Sequence, residues 1–175
     1  MKRIYNFSAG PATLPLSALE EAQKELLNYK NLGMSVMEMS HRSAAFESVL
    51  EEAKASLTRL LAIPDSHEIL FVQGGASLQF SMLPMNFLAG TTEAADVIET
   101  GVWVQKAIKE MEKIGSVRVL ASAKESEYCD IPQVKKTDFN SKAPYAYICS
   151  NNTIYGTQYQ AFPDTGNVPL VADMS

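Results

Sequence analysis

The chain has 175 residues, 46% hydrophobic and 20% charged, which predicts one domain with a real core and argues against a disordered tail or a disulfide-rich scaffold. Its net charge of −5 argues against a nucleic-acid binder, since such proteins are usually basic. No apolar run approaches the roughly 18 residues that span a bilayer, and the N-terminus lacks a signal-peptide pattern. The two cysteines have no metal-ligand spacing. We therefore expect a cytoplasmic protein without a metal site and without a membrane partner.

The N-terminal part of the chain predicts an irregular arm followed by two helices. Glycine and proline residues interrupt the first 16 residues, which we expect to form the arm. Ser17 and Glu20 have the spacing of a capping box and predict a helix that begins at Ser17. A second helix is predicted over residues 46–61 from apolar residues at three- and four-residue spacing, and it ends before Pro64.

Beyond residue 68, short apolar runs alternate with helical patterns. Helices are predicted from Ala76 and around Trp103, and residues 122–142 predict a polar loop. This alternation predicts an α/β fold with a mostly parallel sheet and helices on both faces. The predicted strands cover residues 69–72, 95–98, 117–120, 145–149 and 168–172.

Two polar loops are candidates for binding an anion. Gly74 and Gly75 lie between a predicted strand and a predicted helix, where free N–H groups and the helix dipole favour a phosphate, and Ser77 offers a hydroxyl. The alternative is an ordinary tight turn, which this motif alone favours. His41 and Arg42 suit a carboxylate or phosphate, because a guanidinium bonds two oxygens at once; a solvated loop is the alternative there.

Three further residues could contact a flat cofactor. Trp103 could stack on a ring, although packing in the core explains it equally well. Thr153 follows a predicted strand, where ligand contacts and Asx-type turns both occur. Asp173 ends the last predicted strand and could pair with a protonated ring nitrogen or cap a following helix. A phosphate cradle, a stacking aromatic, a hydroxyl and a carboxylate are together the parts of a pyridoxal phosphate site.

Six motifs along the chain form a longer pattern: residues 5–12, 33–43, 73–80, 100–103, 150–156 and 171–175. Together and in order, they resemble the phosphoserine aminotransferase family, whose members are fold type I pyridoxal phosphate enzymes. The resemblance covers the chain from end to end.

This resemblance implies a role for each candidate cofactor contact. The backbone of Ala76 and Ser77 would hold the phosphate of pyridoxal 5'-phosphate at the start of a helix. Trp103 would stack on the ring, and Thr153 would bond near the ring hydroxyl. Asp173 would pair with the pyridinium nitrogen and keep it protonated, which makes the ring an electron sink.

For the substrates, the resemblance implies that Arg42, with His41 beside it, binds an anionic group. The family transfers an amino group from L-glutamate to 3-phosphohydroxypyruvate, which gives O-phospho-L-serine and 2-oxoglutarate in serine biosynthesis. Its members work as homodimers. The lysine that forms the Schiff base follows a stretch that this sequence lacks, so we expect it beyond residue 175 and assign no catalytic residue within the chain.

The implied organisation is an N-terminal arm, 1–16, followed by residues 17–175 as part of the fold type I cofactor-binding large domain, truncated before the lysine and without the C-terminal domain. We expect such a chain to be inactive alone. Two alternatives stay open. One is a noncatalytic module that binds a phosphorylated ligand or a partner chain, and the other is a fold type I enzyme for another small substrate.

Overall fold

The computed structural model describes residues 3–8, residue 10 and residues 12–175. Two compact units are present: the first ends at Phe71, and the second comprises Val72–Ser175. The described part of the expected arm is irregular up to Pro15, while Met1, Lys2, Ala9 and Pro11 lie outside the described residues.

In the first unit, helix α1 spans Leu16–Glu25 and has no side-chain hydrogen bond at its N-terminus. The predicted capping box at Ser17 is therefore wrong. Pro15 stands at the N-cap position, where the fixed φ of proline and its missing N–H favour a helix start one residue earlier than expected. A capping box does form further on, where Ser35 and Glu38 bracket the short 3₁₀ turn Val36–Glu38. A second 3₁₀ turn spans Tyr29–Asn31.

Helix α2, Ala44–Leu61, confirms the helix predicted over residues 46–61. The Oγ atom of Ser43 accepts a hydrogen bond of 3.3 Å from the N–H of Phe46 and caps the helix. At the other end, Ala62 adopts a left-handed conformation two residues before Pro64. Local sequence signals are sufficient at both ends of this helix.

The strand predicted at 69–72 is wrong. Among the described residues no strand pairs with this segment, and the side chains of Leu70, Phe71 and Val72 are 74%, 58% and 54% exposed. An apolar run forms a strand only where a neighbouring strand takes up its N–H and C=O groups, and hydrophobicity alone does not reveal whether such a neighbour exists.

The second unit alternates helices and strands as predicted, with shifted ends. Its helices are α3, Gly75–Phe87, and α4, Val102–Met111. The predicted loop contains a 3₁₀ turn, Lys136–Asp138. The strands are β1, Ala95–Glu99; β2, Val117–Ser122; β3, Ala146–Cys149; β4, Asn151–Asn152; β5, Thr157–Gln158; and β6, Leu170–Asp173.

The main sheet has the strand order β2-β1-β3-β6 with every pairing parallel, which confirms the predicted α/β class. On one face, α3 and α4 pack through residues such as Phe80 and Val104. On the other face of this unit, Phe139 of the predicted polar loop and Ala143, just beyond it, pack against the sheet. The strands β4 and β5 form a separate antiparallel hairpin, which the sequence reasoning did not anticipate.

An ion pair between the buried carboxylate of Asp96 and the exposed guanidinium of Arg118 attaches that loop to the sheet. Asp96 is 1% exposed, and the Nε and Nη2 atoms of Arg118 donate to its two carboxylate oxygens at 2.6 and 2.7 Å. The backbone N–H of Asn140 adds a bond of 2.7 Å. The hydrogen bonds to the carboxylate of Asp96 raise the pKa of Arg118, so the guanidinium keeps its positive charge.

Across residues 3–8, 10 and 12–175, no helix has both the length and the apolar character needed to cross a bilayer.

Candidate functional site

The carboxyl ends of β1, β3 and β6 meet at one edge of the sheet because the three strands are parallel. The residues that follow them are Thr100 and Ser150, and Asp173 ends β6 itself. The N–H of Ser150 donates to the carbonyl of Asp173 at 2.8 Å, which ties the ends of β3 and β6 together.

A cavity of about 350 Å³ opens at this edge. The first turns of α3, with Ala76 and Gln79, form one wall, while Val171 and Asp173 of β6 form another and Tyr147 of β3 lies between them. The volume falls within the range of roughly 300–1,000 Å³ that is usual for small-molecule pockets. The fold therefore brings Ala76 and Asp173, 97 residues apart in the sequence, to the same cavity.

Asp173 is held at the mouth of this cavity. Its Oδ1 atom accepts hydrogen bonds from the backbone N–H of Ser175 at 3.0 Å and from the hydroxyl of Ser175 at 2.8 Å. Ser175 also lines the cavity. A half-buried carboxylate in an otherwise largely apolar pocket favours a cationic partner, such as a protonated ring nitrogen.

The start of α3 has the backbone geometry of an anion site. Gly74 is the N-cap residue with a φ of +91°, and a Cβ atom there would overlap the side chain of Leu78. No side chain caps this helix, so its first N–H groups, including those of Ala76 and Ser77, lack helical acceptors. The helix dipole adds a favourable field for a phosphate.

Ser77 itself is exposed and borders a smaller neighbouring hollow of about 170 Å³ together with Lys106, Lys109 and Glu110. Its side chain does not line the cavity that contains Asp173. Two lysines and one glutamate therefore border the same hollow as Ser77.

Trp103 lies in the first turn of α4. It is half-buried against the core cluster, as the core-packing alternative anticipated, and the Nζ atom of Lys106 lies 4.4 Å from the ring centroid. It does not line the cavity that contains Asp173.

Thr153 is exposed in the turn of the hairpin formed by β4 and β5. The sequence reasoning missed this hairpin, although Gly156, with a φ of +73°, marks its turn.

His41 and Arg42 belong to the first unit. Both are exposed in the turn that precedes α2, where the N–H of Arg42 donates to the hydroxyl of Ser40 at 3.2 Å. The two side chains are accessible to a ligand, as an anion-binding role requires.

Tyr147 is a residue of the cavity that the sequence reasoning missed. Its side chain is buried, and its hydroxyl has no hydrogen-bond partner among the described residues. Burial, and next the nearby charge of Asp173, raise its pKa well above the usual range, so the hydroxyl is neutral and able to donate. The available signal was the alternation of Tyr145 and Tyr147 in the predicted strand 145–149, which places both side chains on one face.

A second missed feature surrounds Glu99, the last residue of β1. Its carboxylate accepts hydrogen bonds from Ser122 at 2.7 Å, Gln105 at 2.8 Å and Tyr128 at 2.9 Å. Burial alone would raise the pKa of Glu99, but these bonds outweigh it and lower the pKa. Burial, followed by the bond to Glu99, raises the pKa of Tyr128 to about 12. No sequence signal links these residues, because their contact depends on the path of the loop.

In the described part of the chain, no group of three or more His, Cys, Asp or Glu residues is arranged to hold a metal ion.

The parallel α/β sheet has a carboxylate and an uncapped helix N-terminus at the carboxyl ends of its strands, the edge at which proteins of this α/β class bind ligands. Residues 4–175 match the family described as aminotransferase class-V. The chain belongs to the class-V aminotransferase family.

Within that family the chain is similar to phosphoserine aminotransferases. It is 53% identical to the one from Bacillus cereus and 57% identical to the one from Geobacillus kaustophilus, in each case over its whole length and 48% of the relative. The structure of the enzyme from Bacillus circulans subsp. alkalophilus matches with a TM-score of 0.92 at 50% identity over 99% of this chain and 48% of that one. A pyridoxal-phosphate-bound phosphoserine aminotransferase from Trichomonas vaginalis matches with a TM-score of 0.90 at 41% identity over 99% of this chain and 51% of that one. The chain thus spans about half the length of the curated relatives it matches.

Proposed function

We propose that this chain forms the cofactor-binding part of a pyridoxal-phosphate-dependent aminotransferase. Its reaction moves the amino group of L-glutamate to 3-phosphohydroxypyruvate and gives O-phospho-L-serine and 2-oxoglutarate. The observation that carries this proposal is the identity of 53% and 57%, across all 175 residues, to proteins named phosphoserine aminotransferase.

The geometry of the second unit fits pyridoxal 5'-phosphate. The cavity combines largely apolar walls, suited to a flat ring, with the carboxylate of Asp173 at one side and the free N–H end of α3 at the other. The buried, unpartnered hydroxyl of Tyr147 adds a donor in the wall. These are the donors and acceptors that a phosphorylated pyridine requires.

Asp173 is the residue whose role follows most directly from its position. Its carboxylate would pair with the ring nitrogen and hold a proton on that atom, since a negative charge in a partly desolvated site favours the protonated partner. When bound, the cofactor supplies an electron sink for the negative charge that develops at the substrate Cα.

The remaining candidate residues would bind and orient the cofactor. The N–H groups of Ala76 and Ser77 would hold the phosphate, Trp103 would cover one face of the ring, and Thr153 would bond near the ring hydroxyl. Packing of Trp103 against the core keeps its indole from rotating freely, and such fixed surroundings lower the cost of ordering a bound ring.

The proposal also includes the substrate side and the assembly. Arg42, with His41 beside it, would bind the anionic substrate, and the exposure of both side chains supports this assignment. The catalytic lysine would lie beyond residue 175, and residues 17–175 would belong to one large domain preceded by the arm 1–16. The active protein would be a homodimer in the cytoplasm.

The test measures glutamate-dependent formation of phosphoserine by the protein that carries this chain, with pyruvate as a competing oxo acid. We expect a strong preference for 3-phosphohydroxypyruvate. In Arg42→Ala, KM for this substrate should rise about tenfold or more, because a charge-assisted bidentate contact is lost. The matched control is Arg59→Ala, which removes an exposed arginine from the last turn of α2.

Equal turnover of pyruvate would contradict the substrate assignment and favour another small-substrate aminotransferase. Binding of phosphorylated ligands without any transamination would contradict the enzymatic assignment and favour the noncatalytic alternative. An unchanged KM in Arg42→Ala would remove that residue from the substrate site.

A further inference from the structure

Asn152 occupies an unusual position at the edge that carries the candidate site. Its side chain is 1% exposed, although asparagine is mostly found at protein surfaces. Both ends of its amide are used: Oδ1 accepts a hydrogen bond from Oγ1 of Thr100 at 3.3 Å, and Nδ2 donates to Oγ1 of Thr157 at 3.1 Å. A buried amide that is bonded at both its oxygen and its nitrogen favours one arrangement of its neighbours.

These two hydrogen bonds join two separate elements. Thr100 follows β1 and directly precedes Gly101, the N-cap residue of α4, whose first turn carries Trp103. Thr157 begins β5, so its bond closes the hairpin in which Thr153 directly follows Asn152. The amide of Asn152 is therefore the link between the segment that holds Trp103 and the segment that holds Thr153.

The backbone of Asn152 shapes the hairpin turn as well. Its carbonyl accepts hydrogen bonds from the N–H groups of Tyr155 at 3.1 Å and of Gly156 at 2.8 Å. One residue thus fixes both the turn and its attachment to the start of α4.

The segment that leads into α4 and the hairpin also fit closely. A Cβ atom built on Gly101 would lie 2.9 Å from Oδ1 of Asn152 and 3.1 Å from the ring of Tyr155, so only glycine allows this approach. The ring of Tyr155 in turn packs on Tyr128 with a centroid distance of 4.8 Å, and the Tyr128 hydroxyl donates to Glu99. Contacts on both sides of Asn152 therefore resist a change in the hairpin relative to α4.

We propose that Asn152 is a positioning residue that sets the hairpin of Thr153 against the first turn of α4, and so places Thr153 and Trp103 together for the cofactor. The assignment of a cofactor contact to these two residues rests on the proposed function. Asparagine suits the position because it offers an acceptor and a donor at once, whereas aspartate offers no donor at neutral pH and alanine offers neither.

The first test needs no cofactor. Amide hydrogen exchange is compared between the wild-type chain, Asn152→Ala and Thr100→Val, which removes only the hydroxyl that reaches Asn152. We expect exchange to accelerate together in the hairpin, at Tyr155 and Gly156, and in the first turn of α4, at Gln105. The matched control is Asn151→Ala, which alters the neighbouring asparagine of the same hairpin.

Acceleration confined to the hairpin, or equal acceleration in Asn151→Ala, would overturn the proposal. Thr100→Val keeps the side-chain volume, so it provides the decisive comparison if Asn152→Ala does not fold. Thr100→Ser restores the hydroxyl and should restore wild-type exchange in both segments.

The second test adds pyridoxal 5'-phosphate and follows the emission of Trp103, the single tryptophan of the chain. We expect the cofactor to bind about tenfold more weakly to Asn152→Ala and Thr100→Val, equivalent to about 1.4 kcal/mol, and normally to Thr100→Ser and Asn151→Ala. Wild-type affinity in Thr100→Val would overturn the positioning role even if the thermal stability falls.

The outcomes separate this role from the proposed function. If the wild-type chain shows no binding of the cofactor, the proposed function fails in this chain, while the exchange experiment still decides whether Asn152 couples the two segments. If the cofactor binds but neither variant changes exchange or affinity, the proposed function stands and the role of Asn152 is wrong.

Discussion

Asp173 and Tyr147 are neighbours in space because β3 and β6 pair in parallel, with Tyr147 opposite Val171 and Cys149 opposite Asp173. The carboxylate of Asp173 sits at the end of its strand, while the hydroxyl of Tyr147 is buried without a partner. The sequence predicted this aspartate as a candidate site residue, because it follows an apolar run and a carboxylate at the end of a buried strand requires a partner. The unpartnered hydroxyl of Tyr147 could not be predicted from the sequence, since its burial depends on how α3 covers the face of the sheet.

At the residue scale, the first prediction concerns Asp173. Removing its carboxylate in Asp173→Ala, or neutralising it in Asp173→Asn, should weaken binding of pyridoxal 5'-phosphate about tenfold or more, because a charge-assisted contact to the ring nitrogen is lost. Equilibrium titration by absorbance measures this. The control Asp164→Ala removes an exposed carboxylate of the same unit that pairs with Lys136. Equal affinities of Asp173→Asn and the wild-type chain would show that the charge has no part in binding.

The second residue-scale prediction is a pH dependence at Glu99. Its pKa is lower in the folded chain than the ordinary value of 4.5, so its hydrogen bonds stabilise the fold above that pH, and the stabilisation is lost as pH falls through the folded pKa. Glu99→Gln should therefore lower the free energy of unfolding at pH 7 and make less difference at pH 3. Urea unfolding at both pH values measures this, with the exposed Glu125→Gln as a control. A difference that grows toward pH 3 would contradict the assignment.

At the scale of elements, the turn before α3 combines two glycines with different requirements. Gly74 needs both a positive φ and the absence of a Cβ, since a side chain would overlap Leu78, whereas Gly75 has a positive φ with open space around it. The paired glycines predicted a strand-to-helix turn, and the helix forms, but the strand expected before it does not. The sequence did not show which of the two glycines is sterically essential, because that depends on the rotamer of Leu78, one helical turn away.

We predict that Gly74→Ala destabilises the chain by about 2–4 kcal/mol, from left-handed strain and overlap with Leu78 together. The matched control is Gly90→Ala, which has a φ of +76° with no atom within 4 Å of the added Cβ and should cost only the strain, about 1–2 kcal/mol. Chemical denaturation gives the free energy of unfolding of both variants, and the difference between their losses isolates the steric contribution. Equal losses would show that the approach of Leu78 does not constrain this turn.

Element prediction succeeded where the signal is local and failed where it is not. The apolar spacing and the Ser43 cap were enough for α2, and four apolar runs correspond to β1, β2, β3 and β6. The run at 69–72 is at least as apolar as those strands but lacks a neighbour among the described residues. The capping box at Ser17 failed because Pro15 starts the helix earlier, and the short hairpin escaped notice because two-residue strands carry almost no pattern.

At the scale of the whole molecule, the chain comprises two compact units. The boundary between them falls between Phe71 and Val72, in an exposed part of the chain. Cofactor candidates Ala76, Trp103, Thr153 and Asp173 all lie in the second unit. The sequence contained no sign of this boundary, because the apolar composition of residues 69–72 suggested a buried strand there.

This organisation predicts the course of limited proteolysis. Apart from cuts after the exposed Tyr5 and Phe7 of the arm, brief digestion with chymotrypsin should cut first after Leu70 or Phe71, because this segment is exposed and irregular, and leave the remainder of the second unit intact. Mass spectrometry of the products identifies the site. The buried Phe80 and Tyr145 serve as internal controls and should be cut only after unfolding. Protection of Leu70 and Phe71 together with early cleavage at Phe80 would contradict the described burial.

The central claim is that the second unit carries a site for pyridoxal 5'-phosphate, and its most direct test is a titration of the 175-residue chain followed by the emission of Trp103. Pyridoxal without the phosphate and inorganic phosphate alone are the comparison ligands. We predict saturable quenching by pyridoxal 5'-phosphate, much weaker binding of pyridoxal, and no quenching by phosphate, because ring and phosphate contacts act together. Indistinguishable binding of the three ligands, or no binding of pyridoxal 5'-phosphate, would contradict the claim.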